Sequence, residues 1–400
     1  MNSQKSIHYL NALGIINALG RGKQQVADNL FSGTQSGIVK REDLVAGRSV
    51  YVGQVNQSLP PIPSYLSNYD CRNNQLLLAA YEQIKEPVQN AIKRFGKDRI
   101  AVVLGSSTSG IAEGERAVKH LLEEGELPLG YHYQKQEIGT CAEFFSQYLE
   151  LDNLAYCITT ACSSSAKAFS SARRLLERNL CDAVIVGGVD TLCQLTLNGF
   201  SALESVAEKV CNPFSINRNG ITIGEGAALF LMSRIPSEIA LFGVGCSADA
   251  YHISSPEPEG LGAEAAILAA LNDAGLEPAD IDYINLHGTA TRKNDEMESK
   301  AINRVFGDGV FCSSTKGQIG HTLGAAGANE IALCWLTLSG YNTKQKLPPH
   351  LWDGNVDPSL SKINFVTSDT VLEVQQHYFL SNSFAFGGSN ASVIIGNILK

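Results

Sequence analysis

The sequence predicts an α/β protein made of two similar halves, and three observations carry that expectation. Short β-branched runs alternate with helical patterns along the chain. The runs of the first half recur, in order, in the second. Each half also closes on glycines at a bend followed by a strand. Four hundred residues exceed one ordinary core, so two domains or a duplicated unit follow from length as well.

The correspondence can be followed along the chain. Residues 7–16 and 239–248 open the two halves as strands carrying glycine toward their ends. Residues 100–104 (IAVVL) form a buried-strand run that leads into the polar, Gly-containing 106–110 and an acidic helix-forming stretch. Residues 281–286 do the same, leading into His287-Gly288-Thr289 and the acidic, helix-forming 295–304. Residues 155–160 are a strand that turns at Ala161-Cys162 into a helix. Their counterpart, 310–314, passes through Lys316 and a Gly-rich loop into the apolar stretch 328–338. Residues 221–232 (ITIGEGAALFLM) match 384–395 (FAFGGSNASVII) in shape. Pro236 punctuates the junction, which divides the chain into halves 1–235 and 236–400. Two such halves pack pseudo-symmetrically, with the chemistry expected between them.

Composition narrows the function classes. With 44% hydrophobic and 18% charged residues the chain is globular. A net charge of -9 argues against a general nucleic-acid binder, and no cationic stripe suits a membrane surface. An acidic protein can still dock an acidic partner through a local basic patch; Arg72 and Lys209 are candidates. The 10 cysteines are scattered without a CxxC pair, so neither zinc ribbons, other metal centres nor dithiol redox chemistry is expected. The apolar stretch near the start is broken by His8, Asn11 and Asn17, with no small-residue cleavage site after it. No apolar run reaches membrane-spanning length. The expected compartment is the cytosol.

Three segments carry candidate chemistry. In residues 156–180, Ala166, Phe169, Ala172, Leu176 and Leu180 form a helical stripe, and Cys162 falls at the turn before it among Ala161, Ser163, Ser164 and Ser165. Free amides at a helix start favour an anion, which predicts a stabilised thiolate and a place for a thioester oxyanion. Taken alone, Cys162 is equally readable as a small core residue at a tight turn. No GxSxG elbow supports a serine nucleophile. His287 follows an apolar strand and either projects into a cleft or caps the strand. Lys316 and His321 stand five residues apart in a loop dense in glycine and alanine, which suits close backbone approach around a functional group. A buried lysine needs a counter-charge, for which Glu298 is the first candidate and Asp295 the second. Asn382–Gly388 combines Phe384 and Phe386 with two glycines, as an apolar gate or as core packing.

Together these residues resemble a known family. TACSSS around Cys162, PFSINRNGITIGEGA from Pro213, LHGTATRKNDEMES from Leu286, STKGQIGHTLGAAG from Ser314 and NSFAFGGSN from Asn382 are similar to motifs of the elongating β-ketoacyl-(acyl carrier protein) synthases. These are decarboxylating condensing enzymes of the thiolase superfamily. The motifs span essentially the whole chain in the expected order. The resemblance implies a thiolase fold, two halves stacked as an α-β-α-β-α sandwich with two mixed sheets, normally dimeric. It implies that Cys162 takes an acyl group from an acyl carrier protein, with the amides of Cys162 and Phe386 as oxyanion hole. His287 and His321 would bind the malonyl thioester carbonyl, and Lys316 paired with Glu298 would orient them. Phe384 and Phe386 would gate the site and Phe200 would line the acyl pocket. No cofactor is implied beyond the phosphopantetheine of the carrier. The usual acidic residues of the PF-D-x-x-R-D-G pattern are Ser215 and Asn219 here. RNNQLLLAA from Arg72 and GITIGEGAALFL from Gly220 look closest to ketosynthases of aryl polyene clusters, which implies as partner either a second copy or a chain-length-factor homologue. Competing readings are a non-catalytic chain-length factor, which lacks the nucleophile, a coenzyme A thiolase, whose second cysteine NSFAFGGSN does not offer, and a cysteine hydrolase.

Overall fold

The computed structural model describes residues 7–373 and 375–398. Its strands form two ladders of the same order. In the first, His8–Asn17 pairs antiparallel with Gly226–Ser233, which pairs antiparallel with Ala183–Asp190; Ile100–Gly105 and Ala155–Ile158 follow in parallel. In the second, Ile239–Ala248, Ser389–Asn397, Tyr378–Ala385, Tyr283–Asn285 and Phe311–Ser313 occupy the same places with the same directions. Asn364–Phe365 adds one more parallel strand at the outer edge. Each matched pair of segments read from the sequence thus occupies equivalent strands.

The two mixed sheets meet at one corner. The opening strands pair antiparallel at His8↔Leu241 and Tyr9↔Ala240, which joins both ladders into one 12-stranded sheet, with the short strand Gly20–Arg21 paired off the main path. Each opening strand ends its ladder, and facing edges satisfy their backbone groups by pairing. A separate 3-stranded sheet, Ile38–Val45, Arg48–Gly53 and Ile223–Gly224, lies beside the site.

Central strands are apolar on both faces because both faces are covered. Val103, Val184, Val186 and Phe230 point to the middle of the sandwich, while Val102, Leu104, Ile185 and Leu229 point outward to helices Arg72–Tyr81 and Thr140–Leu149. In the second half Ile284, Leu380 and Ile394 face helices Leu261–Ala274 and Arg292–Phe306. The middle layer is the helix pair Ser164–Glu177 and Ala326–Leu338. A Cβ on Gly327 would stand 2.8 Å from that of Ala166, so only glycine lets these helices approach so closely. That contact brings the turn before one helix, with Cys162, beside the loop before the other, with His321. No helix among the described residues is long and apolar enough to cross a membrane.

Candidate active site

Strand Ala155–Ile158 ends just before the nucleophile candidate, and Ala161 then takes a left-handed conformation at φ 51°. This conformation costs a residue with a Cβ about 1–2 kcal/mol. It is held because the Ala161 carbonyl accepts from the Ser164 N–H at 3.1 Å and from Ser164 Oγ at 2.5 Å. The sharp turn lifts Cys162 out of the helix that begins at Ser164. Its sulfur lies 2.9 Å from His321 Nε2.

Both histidines are pinned by their backbones. The His321 N–H donates to the Thr222 carbonyl at 2.6 Å, and its carbonyl accepts from the Gly224 N–H at 2.8 Å. Gly224 is needed there: a Cβ on it would lie 2.2 Å from the Ile319 carbonyl oxygen. His287 lies two residues beyond the strand Tyr283–Asn285, and the N–H groups of His287 and Gly288 donate to the two oxygens of Glu298, each at 2.7 Å. The imidazoles meet edge to face with centroids 5.3 Å apart, and Phe384 packs on His287 at 6.0 Å.

Electrostatics leave this cluster neutral at rest. Burial first, then the Lys316 charge, holds both histidines well below the ordinary imidazole range. Each Nδ1 is buried without a protein partner. An unpaired N–H is worse tolerated than an unpaired lone pair, so the ring proton belongs on Nε2. Burial also pushes the Cys162 thiol up to about 12, against the opposing pull of Lys316 and of the Phe386 and Cys162 amides. The thiolate expected from the helix start is therefore not formed at rest. Desolvation of a fully buried sulfur outweighs those amides, although both amides are aimed at it.

The expected counter-ion of Lys316 is corrected. Lys316 pairs with Glu330, and both side chains are buried. Glu298 is committed to the two backbone amides above, and Asp295 accepts from the Phe214 N–H at 2.7 Å. The geometry follows from the helix Ala326–Leu338 running directly under the Lys316 loop, while the helix Arg292–Phe306 starts under His287. Glu330 was legible in principle: it is the one charged residue in that mostly apolar helix. Asp190 was missed too. This buried carboxylate accepts from the Ser107, Thr108 and Ala325 amides and so ties the two halves together under the site. Arg72, a docking candidate, pairs with buried Glu225, with Nε to Oε2 at 2.9 Å, and keeps only part of its side chain exposed.

A cleft of about 490 Å³ opens onto Cys162, His287 and His321, with Phe200, Phe384 and Phe386 in its wall. The rings of Phe200 and Phe386 are 5.4 Å apart. Asn219, one of the two departures from the family pattern, lines this cleft; Ser215 instead donates to Asp353 at 2.8 Å. The Cys162 sulfur and one nitrogen of each histidine lie within 4.8 Å of one another, the one group of metal-competent donors found among the described residues. The Lys316 charge that depresses both imidazoles also opposes a resident cation there.

Duplicated halves that meet at a buried cysteine between two neutral histidines define a carbon–carbon condensing enzyme, with donors arranged for developing oxyanions. Comparison with known proteins agrees. Residues 65–236 match the family model of the β-ketoacyl synthase N-terminal domain, and 239–351 that of its C-terminal domain. The chain is 32% identical over 339 residues to the 3-oxoacyl-(acyl-carrier-protein) synthase 2 of Staphylococcus aureus, covering 80% of this chain and 82% of that one. It is 28% identical over 413 residues to the enzyme of that name from Coxiella burnetii, covering 97% and 98%. Among solved structures it is similar to the ketosynthase ApeO in complex with its chain length factor ApeC from Xenorhabdus doucetiae, with 45% identity, a TM-score of 0.93 and full coverage of both chains. The chain belongs to the β-ketoacyl synthase family, and with it to the acyltransferases that extend acyl groups by condensation.

Proposed function

We propose that this chain catalyses the decarboxylative Claisen condensation of a malonyl carrier protein with an acyl group held on Cys162. The observation that carries the reading is the 2.9 Å contact of Cys162 Sγ with His321 Nε2, with His287 in the same cleft. In the first half-reaction the Cys162 sulfur attacks the carrier thioester, the new S–C bond forms, and the carrier sulfur leaves with the thiol proton. In the second, the malonyl C–C bond breaks, carbon dioxide departs, and the electron pair passes to the thioester oxygen as an enolate. His287 and His321 donate their Nε2–H groups to that oxygen, and the Lys316 charge supports it. The enolate carbon attacks acyl-Cys162. The Cys162 and Phe386 amides hold the resulting oxyanion, which collapses to the β-ketoacyl carrier product and frees Cys162 to take back a proton.

Glu298 holds the His287 turn in place. Phe384 and Phe386 gate the cleft, and Phe200 lines the acyl pocket. The two halves divide at 235/236, in line with the repeated strand order and with the boundary between the two family models. The substrate arrives on the phosphopantetheine of an acyl carrier protein, with exposed Lys209 as a docking contact. The partner chain is a chain-length-factor-like homologue, supported by the 45% identical ketosynthase solved with its chain length factor. The products are polyenes of the aryl polyene type, made in the cytoplasm. Mass spectrometry after incubation with acyl carrier protein tests the nucleophile: an acyl adduct on Cys162 is expected, and an unmodified chain would assign it to the non-catalytic subunits instead.

A further inference from the structure

His350 is a buried histidine that stands outside the cleft. Its ring stacks on Phe365 with centroids 4.2 Å apart and planes 13° from parallel, and Trp352 covers it at 5.5 Å. Nδ1 lies 3.1 Å from the Ser314 amide nitrogen, and Nε2 lies 3.1 Å from the Pro213 carbonyl oxygen. An amide N–H only donates and a carbonyl only accepts. The ring is thus held as the neutral Nε2–H tautomer. Burial pushes its pKa down to about 4, which favours the same state.

Both backbone partners lead to the site. Ser314 Oγ donates to the Gly288 carbonyl at 2.7 Å, next to His287, and the Lys316 N–H reaches Ser314 Oγ at 3.4 Å. Pro213 precedes Phe214, whose N–H donates to Asp295 Oδ2; Asp295 Oδ1 accepts from the Ala290 N–H at 3.2 Å. One imidazole therefore joins two backbone segments directly, at Pro213 and Ser314, and reaches the His287 turn through the Ser314 hydroxyl.

We propose that His350 is a positioning residue for the decarboxylating half-reaction, setting the spacing of His287 and Lys316 through its bond to the Ser314 amide. This rests on the condensation reading above. Cys162 lies on the other half of the chain and is held by its own turn, so acylation is expected to depend on His350 far less than decarboxylation does.

Three substitutions in the full chain separate positioning from packing. His350→Phe keeps the stack and removes both hydrogen bonds. His350→Asn offers an acceptor oxygen close to the place of Nδ1, and His350→Gln reaches toward the place of Nε2. Carbon dioxide release from malonyl carrier protein is expected to fall about tenfold or more in His350→Phe, while acylation of Cys162 stays within about threefold. Recovery of carbon dioxide release is expected with Asn and not with Gln. Unchanged release in the Phe variant, or parallel loss of both half-reactions with Asn and Gln alike, would overturn the proposal. Should the Phe variant fail to fold, the Asn and Gln comparison decides: Asn above Gln supports it and equality overturns it. A wild-type chain that performs neither half-reaction would instead overturn the condensation reading.

Discussion

The Lys316 ammonium lies against the Glu330 carboxylate with 1% of either side chain exposed, yet its charge is felt throughout the catalytic cluster. It lowers the pKa of His287 and His321 and pulls down that of Cys162 against burial. Glu330 itself is pushed up to about 7 by burial, opposed by Lys316. The pair keeps a positive charge buried beneath three groups that must pass through anionic partners during the reaction.

Breaking this pair should cost more than deleting it. Lys316→Met leaves an uncompensated buried acid, and unfolding free energy is expected to drop by about 3–5 kcal/mol. Lys316→Met with Glu330→Leu should regain most of that stability while remaining unable to release carbon dioxide. Urea unfolding beside a decarboxylation assay reads both. A double variant that recovers activity along with stability would remove the charge from the mechanism.

The resting sulfur is a thiol. With its pKa raised to about 12, alkylation of Cys162 by iodoacetamide should keep climbing between pH 7 and pH 9, about tenfold per unit, without a plateau. A plateau near neutrality would show a preformed thiolate. Cys162→Ala should abolish acyl transfer and leave the fold intact.

The two histidines serve the enolate more than the thioester exchange. His287→Ala and His321→Ala are each expected to lower malonyl decarboxylation by about a hundredfold, with a smaller effect on acylation of Cys162. Separate measurement of carbon dioxide release and of the acyl adduct decides this, and equal losses would contradict the assigned roles.

Phe386 contributes an amide to the sulfur and a ring to Phe200, and only the ring is removed by substitution. Phe386→Ala and Phe200→Ala should therefore shift acyl-chain preference while retaining carbon dioxide release within about tenfold. Competition between acyl carriers of different length reads the shift; unchanged preference in both would place the acyl chain elsewhere.

Much of this architecture was legible before any coordinates. The strand and helix periods, the repeat between the halves and the turn at Cys162 are local properties, carried by residues near one another in sequence. The place of His287 after an apolar strand, and of His321 in a loop dense in glycine and alanine, marked both as candidates for the same reason. The choice of partner for Lys316 was not settled by sequence, because Glu298 and Glu330 both stand on helices that follow the candidate segments and only packing sets Glu330 against the lysine. The partner of Arg72 was hidden in the same way: nothing near that arginine in sequence announces Glu225, 153 residues away, which folding sets against it.

What the sequence by itself determined is the repeated order of strands, the chemistry of the candidate groups and the family they belong to. Tertiary structure alone decided which carboxylate meets which cation, whether the sulfur rests as thiol or thiolate, and how a histidine outside the cleft bridges two backbone segments of the site. The reason is physical. Desolvation and ion pairing depend on the whole surroundings of a group, and those surroundings are assembled from residues the chain brings together only on folding.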